Sequence, residues 1–91
     1  MRIGVANDLP IAVEVLRMVL TEAARHQIAW VARDGVEAVR LCVSDEPDLV
    51  LMDISMPGMD GVTATRRIMA ATPCPILIVT ASVGGDRKSV V

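Results

Sequence analysis

The chain has 91 residues, of which 53% are hydrophobic, and its formal net charge is -2. This length suits one small domain, and such a high apolar content suits a sheet covered by helices on both faces. Nine basic residues are scattered among eleven acidic ones and Trp30 is the only aromatic residue, so the composition argues against a nucleic-acid-binding surface, which needs a basic patch or aromatic platforms.

The first strand is predicted at residues 2–6, where the apolar run ends at the polar pair Asn7-Asp8. This run is too short for a signal peptide or a membrane span, so we expect a cytoplasmic domain that does not contact the membrane. Asp8, as a capping residue, and Pro10 predict the start of a helix that extends to about residue 24. The side of this helix that faces the sheet is predicted from apolar residues at helical spacing: Ile11, Val15, Leu16, Val19, Leu20 and Ala23.

A second strand at residues 28–32 contains Trp30, which we interpret as a packing residue, and residues 33–35 form the following turn. A second amphipathic helix is then predicted, and residues 44–47 end it. Its apolar positions are Val36, Val39 and Val43, with Leu41 and Cys42 beside them. Cys42 and Cys74 show no metal-binding or redox spacing, so we predict two buried, reduced thiols.

Residues 48–61 are the most informative part of the chain. Four consecutive apolar residues at 49–52 are typical of a central parallel strand, and they stop at Asp53. Pro57, Gly58 and Gly61 interrupt regular structure after it. Asp53 is therefore predicted at the carboxyl end of a strand beside a loop, which is where open α/β sheets bind their ligands.

The remaining elements follow the same pattern. Asp60 is predicted to cap a third helix at residues 61–71, with Arg66 and Arg67 facing outward. A fourth apolar strand at residues 75–80 ends on Thr80. Strands that alternate with helices in this way predict a doubly wound parallel α/β sheet.

Polar residues follow three of the predicted strands, namely Asn7-Asp8, Asp53 and Thr80. The carboxyl ends of parallel strands share one edge of the sheet, so these side chains can converge in one crevice. Two carboxylates and a backbone carbonyl suit a hard cation such as Mg²⁺. A carboxylate beside Mg²⁺ can attack phosphorus and form an aspartyl phosphate, which a hydroxyl such as that of Thr80 could then contact.

These residues, together with the run from Asp53 to Gly61, make the chain resemble a response-regulator receiver domain of two-component signalling. The resemblance implies a flavodoxin-like fold with strand order 2-1-3-4-5. It implies that Asp53 takes phosphate from a sensor histidine kinase and that Thr80 is the switch hydroxyl. It further implies that Asp8, Asp53 and the main-chain carbonyl of Ser55 bind Mg²⁺. The wording around residues 5–10, 66–70 and 72–76 is similar to the receivers of chemotaxis-type protein-glutamate methylesterases.

The chain departs from the family pattern at two places. Asn7 stands where receivers usually carry a second acid; it can hold a metal-bound water, and we expect weaker Mg²⁺ affinity. Residues 1–91 are predicted to be a receiver domain that is incomplete at its C-terminus, without the fifth strand, the fifth helix and the invariant lysine of the family. Lys88 precedes the position of that strand, so it is not assigned the role of the lysine.

Without a fifth strand, the fourth strand at residues 76–79 would become a sheet edge with unpaired main-chain groups. We therefore expect the segment to be part of a longer protein or to self-associate through this strand. Any output domain, in cis or in a partner protein, lies elsewhere. No serine hydrolase triad is visible in the sequence, so methylesterase activity would reside outside these residues and the segment itself is predicted not to be an enzyme.

Two functions other than that of a receiver can be considered for the same residues. A phosphohydrolase with an aspartyl nucleophile is expected to carry a second Asp two residues after the first, but that position is Ser55. A pseudo-receiver, which keeps the fold as an interaction module but no longer accepts phosphate, is suggested by Asn7 and by the missing lysine. His26 is a lone histidine just past a helix and is interpreted as a solvated turn residue.

Overall fold

The computed structural model describes residues 1–22 and 25–79 as alternating strands and helices. Each strand is a short apolar run, and each helix begins after a polar turn. In chain order the elements are β1 (Arg2–Ala6), α1 (Pro10–Glu22), β2 (Gln27–Ala32), α2 (Gly35–Ser44), β3 (Leu49–Asp53), α3 (Gly61–Ala71) and β4 (Ile76–Val79).

The four strands form one parallel sheet in the order β2-β1-β3-β4, which confirms the predicted strand order 2-1-3-4 and the doubly wound class. β1 lies between β2 and β3, and Ala6 pairs with Met52. The residues that follow β1 and β3 therefore leave the sheet side by side. Asp53 pairs in turn with Val79 of β4.

The larger core lies between the sheet and helices α2 and α3. It contains Met52 and Ile68, both fully buried, together with the ring of Trp30. That ring packs so closely over Gly4 that a Cβ at this glycine would lie 2.6 Å from the Trp30 Cη2 atom. The Trp30 Nε1 group donates a hydrogen bond to the carbonyl oxygen of Asp45 at 3.0 Å. The interpretation of Trp30 as a packing residue holds.

The opposite face of the sheet is covered by α1, and here the predicted helix face was partly wrong. Val13 is buried and Leu16 and Leu20 pack beside it, whereas three residues expected to face the sheet are exposed. These are Ile11, Val15 and Val19, at 72%, 52% and 59% exposure. Apolar residues run around most of this helix, so periodicity alone did not reveal which stripe the sheet would cover. Ala23 lies outside the described residues.

The packing face of α2 also differs from the prediction. Gly35, Ala38 and Cys42 are buried, while Val36 and Val43 are exposed. Small side chains let this helix approach the sheet and α3 closely, and Val36 and Val43 are left at the periphery, whereas Val39 packs against the larger core. Asp34 caps the helix by accepting a hydrogen bond from the Glu37 N–H at 2.8 Å.

Among the residues that the structure describes, β4 is at one end of the strand order and pairs with β3. Its residues Leu77 and Ile78 are 55% and 42% exposed. Within the described ranges, none of the helices combines the length and apolarity that crossing a membrane requires.

Candidate functional site

Asp53 is the last residue of β3 and carries the only carboxylate of that strand. The strand is buried on both faces, and Asp53 itself is only 8% exposed. One of its carboxylate oxygens, Oδ1, accepts a hydrogen bond from the Ser55 N–H at 3.3 Å. The sequence therefore places an ionisable group at the point where a fully apolar strand meets a loop.

Asn7 and Asp8 follow the neighbouring strand β1. The main-chain N–H of Asn7 donates to the Ala32 carbonyl at 2.9 Å, which ties the ends of β1 and β2 together. Its side-chain Oδ1 accepts from the Leu9 N–H at 2.9 Å, and the residue is buried. The hydrogen bond at the entry to α1 is thus made by Asn7, where the sequence suggested that Asp8 would be the cap. Asp8 is half-buried.

The Asp8 carboxylate is one of the groups that act on the pKa of Asp53. The pKa of Asp53 is raised from its ordinary value of 3.8, mainly because burial disfavours the charged form and secondarily because the Asp8 carboxylate repels it. Hydrogen bonds from the Ser55 and Ile54 N–H groups act in the opposite direction. A cation between these carboxylates would remove the repulsion, so the electrostatics of the site favour binding of a positive ion.

The donor set has a definite chemical character. Over the described ranges, three or more His, Cys, Asp or Glu side chains do not come together in any group able to hold a metal. Two carboxylates with nearby main-chain oxygens, and no nitrogen or sulfur donor, fit Mg²⁺, which retains several waters and needs few protein ligands. Asp8, Asp53 and the carbonyl of Ser55 are the residues that could hold it, with Asn7 close enough in the chain to hold a water.

The loop from Ser55 to Asp60 is anchored at both ends. Met56 is 8% exposed and belongs to the larger core, and Gly58 has φ +71, a conformation that favours glycine. Asp60 caps α3, as predicted, by accepting from the Thr63 N–H at 2.8 Å. This hydrogen bond lowers the pKa of Asp60. Asp60 therefore serves as the N-cap of α3.

A cleft of about 260 Å³ opens beside Asn7 and Asp8. The sequence reading missed two of its residues, Arg17 and Arg33, although Arg33 directly follows β2 and so lies at the same edge of the sheet as Asp8. Applying the strand-end rule to all strands would have found it. The lining is completed by Pro10, Val13, Glu14 and Val31.

Other residues singled out from the sequence do not join the site. His26 precedes β2 and so lies at the opposite end of the sheet; it is partly buried, not fully solvated as expected. Cys42 and Cys74 are free and buried, as predicted, and burial raises the pKa of Cys42 to about 12. Thr80 lies outside the described residues, so its role as the switch hydroxyl stays a prediction; Lys88, to which no role is assigned, also lies outside them.

Known proteins resemble nearly the whole of this chain. A family model described as "Response regulator receiver domain" matches residues 3–89. A protein-glutamate methylesterase/protein-glutamine glutaminase of Mesorhizobium japonicum is 63% identical over 90 residues, which are 99% of this chain and 26% of that protein. The chain thus spans about a quarter of the length of the curated relatives it matches.

Solved structures of response regulators are also similar to this chain. The response regulator domain of Thermotoga maritima CheB is similar with a TM-score of 0.86 and 30% identity, over 88% of this chain and 60% of that one. The CheX-CheY-BeF3-Mg+2 complex of Borrelia burgdorferi contains a chain that is similar with a TM-score of 0.79 and 27% identity, over 90% of this chain and 63% of that one.

Proposed function

We propose, starting from the fact that this chain belongs to the response regulator receiver domain family, that Asp53 is its phosphoacceptor. The observation that carries the proposal is a buried carboxylate at the end of a central strand, repelled by a second carboxylate on the neighbouring strand. The similarity to CheB-type regulators supports the proposal that residues 1–91 are the receiver segment of such a protein. Its phosphate would come from a sensor histidine kinase.

The chemistry assigned to Asp53 is nucleophilic. A carboxylate oxygen of Asp53 attacks phosphorus, a P–O bond forms, and the P–N bond to the donor histidine breaks, with the electron pair returning to the imidazole. Mg²⁺, when bound, offsets the negative charge on the phosphoryl oxygens. The Ser55 and Ile54 N–H groups hold the Asp53 carboxylate, and the apolar strand behind it excludes water from one side.

Asp8 and the main-chain carbonyl of Ser55 are proposed as further Mg²⁺ ligands, and Asn7 as a partner for a metal-bound water. One solved structure similar to this chain is a complex with BeF3 and Mg+2, which supports the choice of metal. Asn7 carries no charge, so the site has one negative charge fewer than a three-acid site would have. The Asn7 Oδ1 atom also already accepts a hydrogen bond from the Leu9 N–H. We expect correspondingly weaker Mg²⁺ binding.

The output of the switch lies outside this segment. Phosphorylation adds charge and acceptor oxygens, and Thr80 is proposed to move toward them as the switch hydroxyl. The matched relatives are about four times as long as this chain, so a methylesterase domain in the same protein is the proposed target. The proposed location is the cytoplasm, where chemotaxis kinases act on their regulators.

A specific observation favours one alternative, a pseudo-receiver that binds partners without accepting phosphate. Asn7 replaces an acid and uses its side-chain oxygen to hold the start of α1. If that exchange has abolished metal binding, Asp53 would keep its raised pKa but gain no phosphate. The alternative and the receiver give opposite results in one experiment.

That experiment treats the 91-residue chain with Mg²⁺ and acetyl phosphate and measures intact mass, with Asp53→Asn as the control. We expect a metal-dependent phosphate adduct that chelation of Mg²⁺ prevents and that Asp53→Asn lacks. No adduct on this chain and none on the longer parent protein would support the pseudo-receiver. Trp30 fluorescence serves to check folding only, because its indole lies toward Asp45, at the other end of the sheet from Asp53.

The fourth strand carries a separate proposal about partners. Leu77 and Ile78 are exposed on β4, and this strand pairs only with β3 among the described residues. We propose that a second copy can pair along β4. Sedimentation velocity over a range of concentrations is the test, with a Leu77→Lys, Ile78→Lys variant as control. A wild-type chain that remains monomeric throughout would rule this contact out.

A further inference from the structure

Gly61 makes an unusually close contact with the main chain of the proposed phosphoacceptor. It is the first residue of α3 and is buried. A Cβ built at this position would overlap the Asp53 carbonyl oxygen and lie 2.8 Å from the Ile54 Cα atom. The Gly61 N–H also donates to the Ile54 carbonyl at 3.0 Å. The helix start is therefore in van der Waals contact with the backbone that carries Asp53.

The start of α3 cannot easily withdraw from this contact. Asp60 caps the helix through the Thr63 N–H at 2.8 Å, and further along it Ala64 and Ile68 are fully buried against the larger core. Both ends of the first two turns are thus held in place. A side chain added at Gly61 would have to push apart the start of α3 and the end of β3, and the backbone that it meets there is that of Asp53 and Ile54.

A second glycine makes a comparable contact at the far end of the same loop. A Cβ at Gly35, the first residue of α2, would overlap the Met59 carbonyl oxygen and lie 2.8 Å from the Met59 Cβ. Gly35 is also buried. Met59 is six positions beyond Asp53 in the chain, so a disturbance at Gly35 reaches the loop without pressing directly on the phosphoacceptor. The chain thus supplies a matched steric control.

We propose that Gly61 is a positioning residue for the phosphoacceptor: the absence of a side chain lets α3 hold the Asp53 backbone where the Asp53 carboxylate faces Asp8 and the Ser55 carbonyl can reach the same cation. This inference rests on the proposed function. It assigns Gly61 no contact with phosphate or metal. Its effect is transmitted through the backbone of Asp53 and Ile54.

The test compares Gly61→Ala with Gly35→Ala, wild type and Asp53→Asn. The folded fraction of each is measured by urea titration of Trp30 fluorescence, and Mg²⁺ affinity by NMR titration of main-chain amides. The initial rate of phosphorylation by acetyl phosphate follows from intact mass. Misplacing a reacting group by about 1 Å can cost on the order of 100-fold in rate, so per folded molecule we expect Gly61→Ala to lose roughly 10- to 100-fold. Mg²⁺ binding should weaken with it, whereas Gly35→Ala should stay close to wild type in both.

Several results would overturn the inference. These are a folded Gly61→Ala with wild-type Mg²⁺ affinity and rate, or equal losses in Gly61→Ala and Gly35→Ala once corrected for folding. If Gly61→Ala does not fold, Asp60→Ala and Asp60→Ser replace it, because only the serine can restore the cap that holds Gly61 in place. Equal Mg²⁺ affinity in that pair would also count against the inference.

The proposed function can fail separately. If neither the wild-type chain nor the parent protein forms a phosphate adduct, the proposal of phosphotransfer is rejected. Mg²⁺ affinities that still separate Gly61→Ala from Gly35→Ala would leave the positioning role standing.

Discussion

The two ends of the sheet differ in how their charges are matched. Near the amino ends of the strands, the Arg2 guanidinium pairs with Asp45 at 2.8 and 2.9 Å, and the Trp30 indole donates to the Asp45 carbonyl. At the carboxyl ends, Asp8 and Asp53 repel each other, and the pKa of Asp53 is raised. One end is arranged for stability, and the other keeps an unfavourable charge pair that a cation can relieve.

The largest change in the free energy of unfolding is expected from a substitution at Trp30, near the amino ends of the strands. Replacing a buried tryptophan by alanine costs about 3–5 kcal/mol, because it removes apolar contact and leaves a cavity. For Trp30→Ala we expect a loss of this order in the free energy of unfolding, measured by urea titration with far-UV circular dichroism.

Trp30→Phe is the matched control, since it keeps most of the ring volume but loses the hydrogen bond to Asp45. It should cost about 1–2 kcal/mol. Equal stability of Trp30→Ala and wild type would show that the amino end does not anchor the sheet.

A smaller change, this time an increase in the free energy of unfolding, is expected when Asp53 is replaced. Its pKa is raised in the folded state, so the folded chain binds the proton more tightly than the unfolded chain. The free energy of unfolding must therefore fall as the pH rises from the ordinary value of 3.8 through the raised value, and the loss is complete above it. Asp53→Asn lacks this loss and should be the more stable protein at neutral pH.

Urea titrations of wild type and Asp53→Asn across the acidic range would check this. The difference in stability should shrink on acidification and vanish below the ordinary pKa of an aspartate. Mg²⁺ should narrow it at neutral pH by stabilising the wild type alone. A difference that does not change with pH would mean that burial and repulsion by Asp8 do not make the charged form of Asp53 unfavourable in the folded chain.

The smallest effect is expected at Arg2. Its ion pair with Asp45 is 39% and 46% exposed on the two side chains, and exposed pairs contribute at most about 1 kcal/mol. Arg2→Ala should therefore lower the free energy of unfolding by less than Trp30→Ala does, and high salt should reduce the difference. A loss as large as that of Trp30→Ala would mean that the ion pair stabilises the amino end as much as the indole does.

Much of the fold could be predicted because its signals are local. The apolar run before Asp53 indicated a buried central strand, and Asp60 indicated the start of α3; both are confirmed. The strand order 2-1-3-4 came from the family resemblance and is also confirmed. The location of Asp8 and Asp53 at the same edge of the sheet followed from the rule that parallel strands share their carboxyl ends.

The errors occurred where several faces or several donors were available. On α1, apolar residues surround most of the helix, and the sheet covers Val13, Leu16 and Leu20 while Ile11 and Val15 face outward. At the entry to α1, either Asn7 or Asp8 could accept a hydrogen bond, and the geometry of the β1 end selects Asn7. Periodicity and residue type do not distinguish such alternatives, because each satisfies the local rule.

By itself, then, the sequence determined the alternation of strands and helices, the capping of α3 and the carboxylate at the end of β3. The burial of Asp53, its repulsion by Asp8 and the contact of Gly61 with its backbone arise only when distant parts of the chain come together. The physical reason is one of range. Backbone propensity and capping act within a few residues, whereas the burial of a carboxylate and the close approach of a glycine depend on elements brought together from different parts of the chain.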